Sequence, residues 1–402
     1  MPFVVGKLDR LMDESGIDWI VATSKHNVQY LLGGYRYFFF EHFDAMGTSR
    51  YQAAVGYRKG DPHEAFYVGT SNERWQLEAE HIWAPTVELT PTTTYAAAEA
   101  IATMLQRRGT AGMSIGIEPS FLPADAMTVL SRALSDATFV DATRTLEELR
   151  AVKTTRELDL IRTASDVVVR AMLRSFESAQ RGITKQQLAE AYKRELVSMG
   201  LDYDYALVAT GPSFNRAPSQ EPWKQGAVLS LDSGGHLHGY LGDLCRMAVM
   251  GSPTAPMEAA LAEIASVQAA ARQPIRAGIL GGEIIEAAKR ELAHCGQAES
   301  MAFVAHGMGL VPHEAPHLMD RGIYAASHAT QPLAAGMVIS IETEMRHPEL
   351  GLVKLEDTVI VTDEGWEGAG DEGRGWNLAG KAPPSLPTKQ SSPSIKSEPT
   401  RE

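Results

Sequence analysis

The sequence predicts an α+β protein whose main domain is preceded by a smaller α/β unit, and three observations carry that expectation. Residues 1–148 alternate short helical and strand-like runs, as a mixed sheet covered by helices does. Residues 149–370 change texture: two helical repeats lead into long apolar runs that read as a mostly antiparallel sheet flanked by helices. Residues 371–402 form a tail, and within it Ala382–Glu402 is rich in Pro, Ser, Thr and Lys. Such a composition cannot offset its ordering entropy, so a disordered C-terminal tail is expected over residues 371–402.

Each element has its own signal. Leu8, Leu11 and Met12 mark one face of a short helix, and Ile17–Ala22 is a compact apolar strand. Ala53–Tyr57 and Glu64–Val68 read as a strand pair joined through Lys59-Gly60-Asp61-Pro62. A helix over Tyr95–Gln106, a strand over Met113–Ile117 and a helix over Asp125–Leu134 complete the first unit. In the second unit Thr155 is the expected N-cap of a helix carrying Leu158, Ile161, Ser165, Val168 and Met172. Thr184 and Gln187 form a capping box that opens a second helix, ending near Gly200. Strands are expected over Tyr205–Thr210, Ala227–Asp232, Tyr240–Met250, Met337–Glu344 and Gly351–Thr362, with helices over Met257–Ile275 and Gly282–Cys295.

Bulk properties narrow the function. With 402 residues, 44% hydrophobic and 22% charged, the chain can build two cores. A formal net charge of −13 argues against nucleic acid or an anionic membrane as a partner, because both require a basic surface. Cys245 and Cys295 stand alone, which argues against a disulfide scaffold or a zinc–thiolate site. No apolar run approaches the ~20 residues of a membrane span, and no basic-then-apolar leader is present, so a cytoplasmic location is expected.

Five residues carry the chemistry: Asp232, Asp243, His306, Glu342 and Glu356, each near the end of an apolar run. Buried carboxylates are costly unless paired or ligated, but four of them with one imidazole suit two adjacent divalent metals that activate a water. Asp232 closes one strand, a Gly-rich segment turns, and Asp243 returns on the next, where facing residues lie about 5 Å apart. Arg246 follows as a candidate to orient a carboxylate. In His306-Gly307-Met308-Gly309-Leu310-Val311-Pro312-His313, the glycines allow close backbone approach to a metal, and His313 is placed to hydrogen-bond a substrate. Glu342 and Glu356 each interrupt a Val/Ile-rich strand. His236 and His238, between the two aspartates, read as solvent-facing turn residues. The aromatic run Tyr35–Phe43 reads as core or interface packing, or alternatively as a wall of the active site.

The Asp pair around Gly239-Tyr240, the HGMGL and HEAP segments, and the GMVISIE and KLEDTVIV strands together resemble the pita-bread metallopeptidases, family M24. That group includes methionine aminopeptidase, aminopeptidase P, prolidase, creatinase and ectoine hydrolase. The likeness spans roughly Leu149 to Gly365, and the preceding α/β unit resembles the N-terminal domain of the prolidase, aminopeptidase P and creatinase branch. It implies a pita-bread fold and Asp232, Asp243, His306, Glu342 and Glu356 as ligands of two metals. Asp243 and Glu356 would bridge those metals, Glu342 would shuttle protons, and His313 would stabilise the transition state. It further implies a homodimer. Three departures stand out: no His lies between Gly200 and Asp232, where Asn215 occupies the region of a usual catalytic His; IEPG becomes Ile341-Glu342-Thr343-Glu344; and Lys354 stands where Arg is common.

The expected activity is hydrolysis of an amide-type C–N bond in a small substrate, of the Xaa-Pro dipeptidase or aminopeptidase kind. Mn²⁺ suits an oxygen-rich donor set, with Fe²⁺, Co²⁺ and Zn²⁺ as alternatives. Two other readings stay open: a creatinase- or ectoine-hydrolase-like enzyme for a non-peptide substrate, and a pita-bread binding protein without catalysis.

Overall fold

The computed structural model describes residues 1–42, 47–319 and 326–380. Phe43 and the expected disordered stretch Ala382–Glu402 lie outside the described residues.

The first unit runs α1 (Val5–Glu14), β1 (Trp19–Ala22), α2 (Lys25–Leu31), β2 (Ala54–Arg58), β3 (Asp61–Thr70), α3 (Arg74–Ala79), β4 (Thr86–Thr90), α4 (Thr94–Arg107), β5 (Ser114–Ile117), α5 (Ala124–Ala133), β6 (Thr138–Asp141) and α6 (Thr143–Ala151). Its strands form one mixed sheet in the order β4-β3-β2-β1-β5-β6, with antiparallel β1–β2 and β2–β3 pairs and parallel pairs outside them. Of the aromatic run, Tyr35, Tyr37 and Phe40 are buried in this unit's core, whereas Phe38 is 72% exposed.

The second unit follows with α7 (Thr155–Ser178), α8 (Lys185–Ser198), β7 (Asp202–Thr210), β8 (Val228–Leu237), β9 (Tyr240–Met250), α9 (Ala255–Arg272), α10 (Gly282–Leu292), β10 (Met301–Gly307), β11 (Val338–His347), β12 (Gly351–Val361), β13 (Trp366–Ala369) and β14 (Asn377–Ala379). The sheet order is β10-β11-β12-β9-β8-β7, with β13 beside β12 and β14 parallel to β9. Strand alternation explains how it is covered. Ile339, Ile341, Val353, Leu355 and Val359 pack with α9 and α10, while Leu229, Leu231 and Leu244 pack with α7 and α8. The intervening residues of these strands, including Ser340, Glu342 and Glu356, are left for the other face.

Four expectations need correction. The N-cap of α7 is Thr154, whose side chain accepts from Glu157 N in a capping box; Thr155 is the first helical residue. Asp232 does not close its strand: β8 continues through Gly234-Gly235 to Leu237, and the turn is His238-Gly239 with φ of 50° and 85°. Two positive φ values in a two-residue hairpin make the twist-matched turn that favours glycine at the second place. His236 therefore sits in the strand, buried, with Nδ1 3.0 Å from Asp204; His238 is the exposed turn residue. Finally, residues 371–380 are ordered against the second unit: Arg272 pairs with Asp371 at 2.8 Å and β14 joins the sheet.

Candidate metal centre

The sheet register assembles the centre. Asp232 pairs with Cys245, Cys245 with Glu356, Glu356 with Glu342, and Glu342 with Val304, giving one row across β8, β9, β12, β11 and β10. Asp243 and His306 lie two residues from Cys245 and Val304, so alternation returns them to the same face. Asp232 and Asp243 are thus diagonal rather than opposite. One ligand atom each from Asp243, His306 and Glu356 falls within 4.8 Å of the others, and so does one each from Asp232, Glu342 and Glu356. All five expected residues converge, with Glu356 common to both groups.

Packing so many acids together has electrostatic consequences. Burial, followed by the charge of Asp232, pushes Asp243 up to about 6. Burial also raises Glu356, with Asp243 and Glu342 adding to it. Glu342 goes the other way: burial opposes ionisation, but His306 and Lys354 outweigh it and hold the carboxyl well below its ordinary range. Its side chain is 18% exposed, more open than those of the other four.

Neighbouring groups hold the acids in place. Tyr205 donates its hydroxyl to Asp243 Oδ1, Arg216 Nη2 donates to Asp232 Oδ2, and Ser340 Oγ donates to Glu356 Oε1 at 2.9 Å. His306 Nε2 lies 3.1 Å from Glu342 Oε1. Lys354 Nζ stands 2.5 Å from Asp232 Oδ2, 2.5 Å from Glu342 Oε2 and 2.8 Å from Glu356 Oε2. Burial works against the lysine's charge, yet the three carboxylates raise its affinity for the proton well above the ordinary value.

The exposed ring of His313 leans on that of His306, with centroids 4.0 Å apart and 36° between planes. Beside it, Leu310, Val311 and Pro312 line a cavity of about 260 Å³ between the two units, which also reaches Tyr205, Gln29 and Arg36. Arg246 does not reach the acids' side chains. It points through the sheet to Asp357 at 3.1 Å and donates to the Glu356 carbonyl at 2.8 Å. Asn215 is exposed, and from that segment it is Arg216 that enters the centre. Tyr205 and Arg216 escaped the sequence reading. Tyr205 opens an expected strand and Arg216 sits in a loop, and neither is part of a recognisable spacing.

The model for metallopeptidase family M24 matches residues 159–363, and that for the creatinase/prolidase N-terminal domain matches residues 5–152. The chain belongs to metallopeptidase family M24. Among its relatives, the probable dipeptidase PepE of Mycobacterium tuberculosis is 30% identical over 250 residues, which are 61% of this chain and 64% of that protein. An Xaa-Pro dipeptidase of Pyrococcus horikoshii is 25% identical over 259 residues, 63% of this chain and 71% of that one. In structure, an Xaa-Pro dipeptidase from Bacillus anthracis superposes with a TM-score of 0.78 at 21% identity, covering 93% of this chain and 98% of that one. The fold is therefore the pita-bread fold, and as an M24 metallopeptidase the protein is a hydrolase whose acidic groups can hold metal. Among the described residues no helix is long and apolar enough to cross a membrane.

The donors differ in how well they suit an ion. Asp243, His306 and Glu356 offer two oxygens and a nitrogen, a fitting set for a borderline divalent cation. Asp232, Glu342 and Glu356 offer the right oxygens, but the Lys354 ammonium already lies among them.

Proposed function

We propose that the protein hydrolyses an amide-type C–N bond of a short peptide of the Xaa-Pro kind, with Asp232, Asp243, His306, Glu342 and Glu356 as the donors of a divalent-metal centre. The observation that carries this reading is the convergence of five donors from five strands on one sheet face, with Glu356 serving both groups. The names of its relatives, dipeptidase and Xaa-Pro dipeptidase, support the substrate class. Manganese is the proposed ion, since four carboxylates and one imidazole form a hard, oxygen-rich set, with Fe²⁺, Co²⁺ and Zn²⁺ next.

A bound divalent cation supplies Lewis-acid polarisation and a lowered water pKa. The chain's own residues do the rest. Glu342, ionised and partly open, takes the proton of the attacking water on its carboxylate and delivers it to the leaving nitrogen. His313, at the mouth over His306, donates to the substrate carbonyl oxygen as charge develops there. Tyr205 fixes the orientation of Asp243. The small cavity beside Leu310–Pro312 receives the rest of the substrate. The reading also includes a cytoplasmic homodimer, with exposed Phe38 available to a second copy.

A second reading, a creatinase- or ectoine-hydrolase-like enzyme for a non-peptide C–N bond, is favoured by one observation: Arg216 rather than a histidine reaches the centre from the segment around Asn215. A panel of Xaa-Pro dipeptides set against amidines, guanidino compounds and cyclic osmolytes separates the two. Cleavage of the dipeptides in Mn²⁺, abolished in Asp243→Ala with circular dichroism unchanged, is the expected result. Undiminished turnover in that variant sinks the metal-centre reading.

A further inference from the structure

The lysine in the centre has its own consequence. Lys354 lies on β12 two residues before Glu356, so both side chains emerge on the same face. Its three partners are the three residues of the second donor group. A divalent ion held by those oxygens would sit about 2.0–2.2 Å from each of them. The ammonium nitrogen already lies 2.5–2.8 Å from the same three oxygens, so the two cations claim one space. Lys354 is 3% exposed, which leaves its side chain little room to withdraw into solvent.

The first donor group is free of this conflict. Glu356 divides its oxygens: Oε2 faces Lys354, while Oε1 faces Ser340 at 2.9 Å and His306 at 4.0 Å. Charge agrees with geometry. Asp232, Glu342 and Glu356 face Lys354 or Arg216; with Asp243 added, four carboxylates against these two cations leave a formal two negative charges when His306 is neutral, which is the charge of one divalent ion.

We propose that Lys354 occupies the second cation seat of the centre, so that the protein holds one divalent ion tightly on Asp243, His306 and Glu356 and admits another only by expelling the lysine. The proposal rests on the reading of these residues as metal donors.

Metal counting tests it. The full chain, stripped by chelator and dialysed, is titrated with MnCl₂ while bound metal is measured by mass spectrometry and the manganese by electron paramagnetic resonance. The parent is expected to take one equivalent, with a second binding roughly 100-fold more weakly, the scale on which residues around a centre change metal affinity. At two equivalents its signal should remain that of isolated Mn²⁺. Lys354→Ala should take two equivalents and develop a spin-coupled signal. Two tight equivalents with spin coupling in the parent overturn the proposal, whether or not the variant folds. A parent that binds one tight equivalent yet cleaves no peptide leaves the proposal standing and sinks the peptidase reading. No manganese on either protein overturns both.

Discussion

Glu314, the residue after His313, is the point at which the two units grip the site. It is buried, and it accepts from Arg150 Nη2 at 3.0 Å and pairs with Lys153 Nζ at 2.9 Å, both cations being buried as well. Arg150 continues to Asn27 Oδ1, and Asn27 Nδ2 donates to Glu118 Oε1 at 2.6 Å within the first unit. Glu314→Gln keeps the shape and removes the charge, stranding two buried cations. Breaking such a group by one partner costs about 3–5 kcal/mol. With an unfolding entropy of about 2.1 cal/mol/K per residue, a 4 kcal/mol loss lowers Tm by about 5 °C if the whole chain melts together, and by about 9 °C if only the second unit does. Thermal unfolding followed by circular dichroism reads this directly. The pH dependence adds a signature. Burial raises the Glu314 pKa, but Lys153 and Arg150 outweigh it, so the folded value is depressed. Its stabilisation is therefore present above the unfolded carboxylate value of about 4.3 and is lost as pH falls through the folded one. The parent–variant gap should hold from neutral pH to about 5, narrow below about 4.3 and close only as pH falls through the depressed folded value. A Tm for Glu314→Gln within 1 °C of the parent at pH 7 would refute the argument, since roughly 4 kcal/mol cannot hide in so small a shift.

Two further outcomes follow from the centre. Tyr205→Phe deletes only the hydroxyl that Asp243 accepts, and calorimetry should show Mn²⁺ binding weakened about 10–100-fold with the fold intact; unchanged affinity removes Tyr205 from the centre. Manganese at 100 times its Kd should stabilise the folded protein by about 2.7 kcal/mol, so adding chelator lowers Tm by several degrees in the parent and leaves Asp243→Ala unmoved.

The fold was largely legible because the second unit's strands alternate cleanly. Ile339, Ile341, Leu355 and Val359 carry the helix-facing side, and Glu342 and Glu356 stand out against them. The same alternation, followed further, excludes Arg246 as an orienting group: three residues from Asp243, it must face the other way. Gly234-Gly235 looked like a turn, but both lie in β8, where an added Cβ would meet Tyr205 at 2.7 Å and Leu196 at 2.7 Å. Close packing, not backbone curvature, explains these glycines, and packing partners distant in sequence leave no local pattern. Tyr205 and Arg216 were invisible for the same reason: each acts through one contact, with no repeat or spacing to announce it.

Glu356 and Asp357 show how neighbours on one strand acquire opposite roles. Alternation sends Glu356 to the centre and Asp357 through the sheet, where Arg246, Arg272 and Arg374 approach it at 3.1, 2.9 and 3.1 Å. Three guanidinium groups on one fully buried carboxylate outweigh its desolvation and keep it ionised, so Asp357 clamps β9, α9 and the segment beyond residue 370 together. Glu356 shares the single Lys354 ammonium with Asp232 and Glu342, and burial leaves it reluctant to ionise. Two buried acids with the same backbone surroundings thus differ in how much positive charge the chain itself provides. Where that charge is plentiful the acid is structural; where it is short, the deficit suits a cation from outside, in keeping with the metal centre proposed on Glu356's face of the strand.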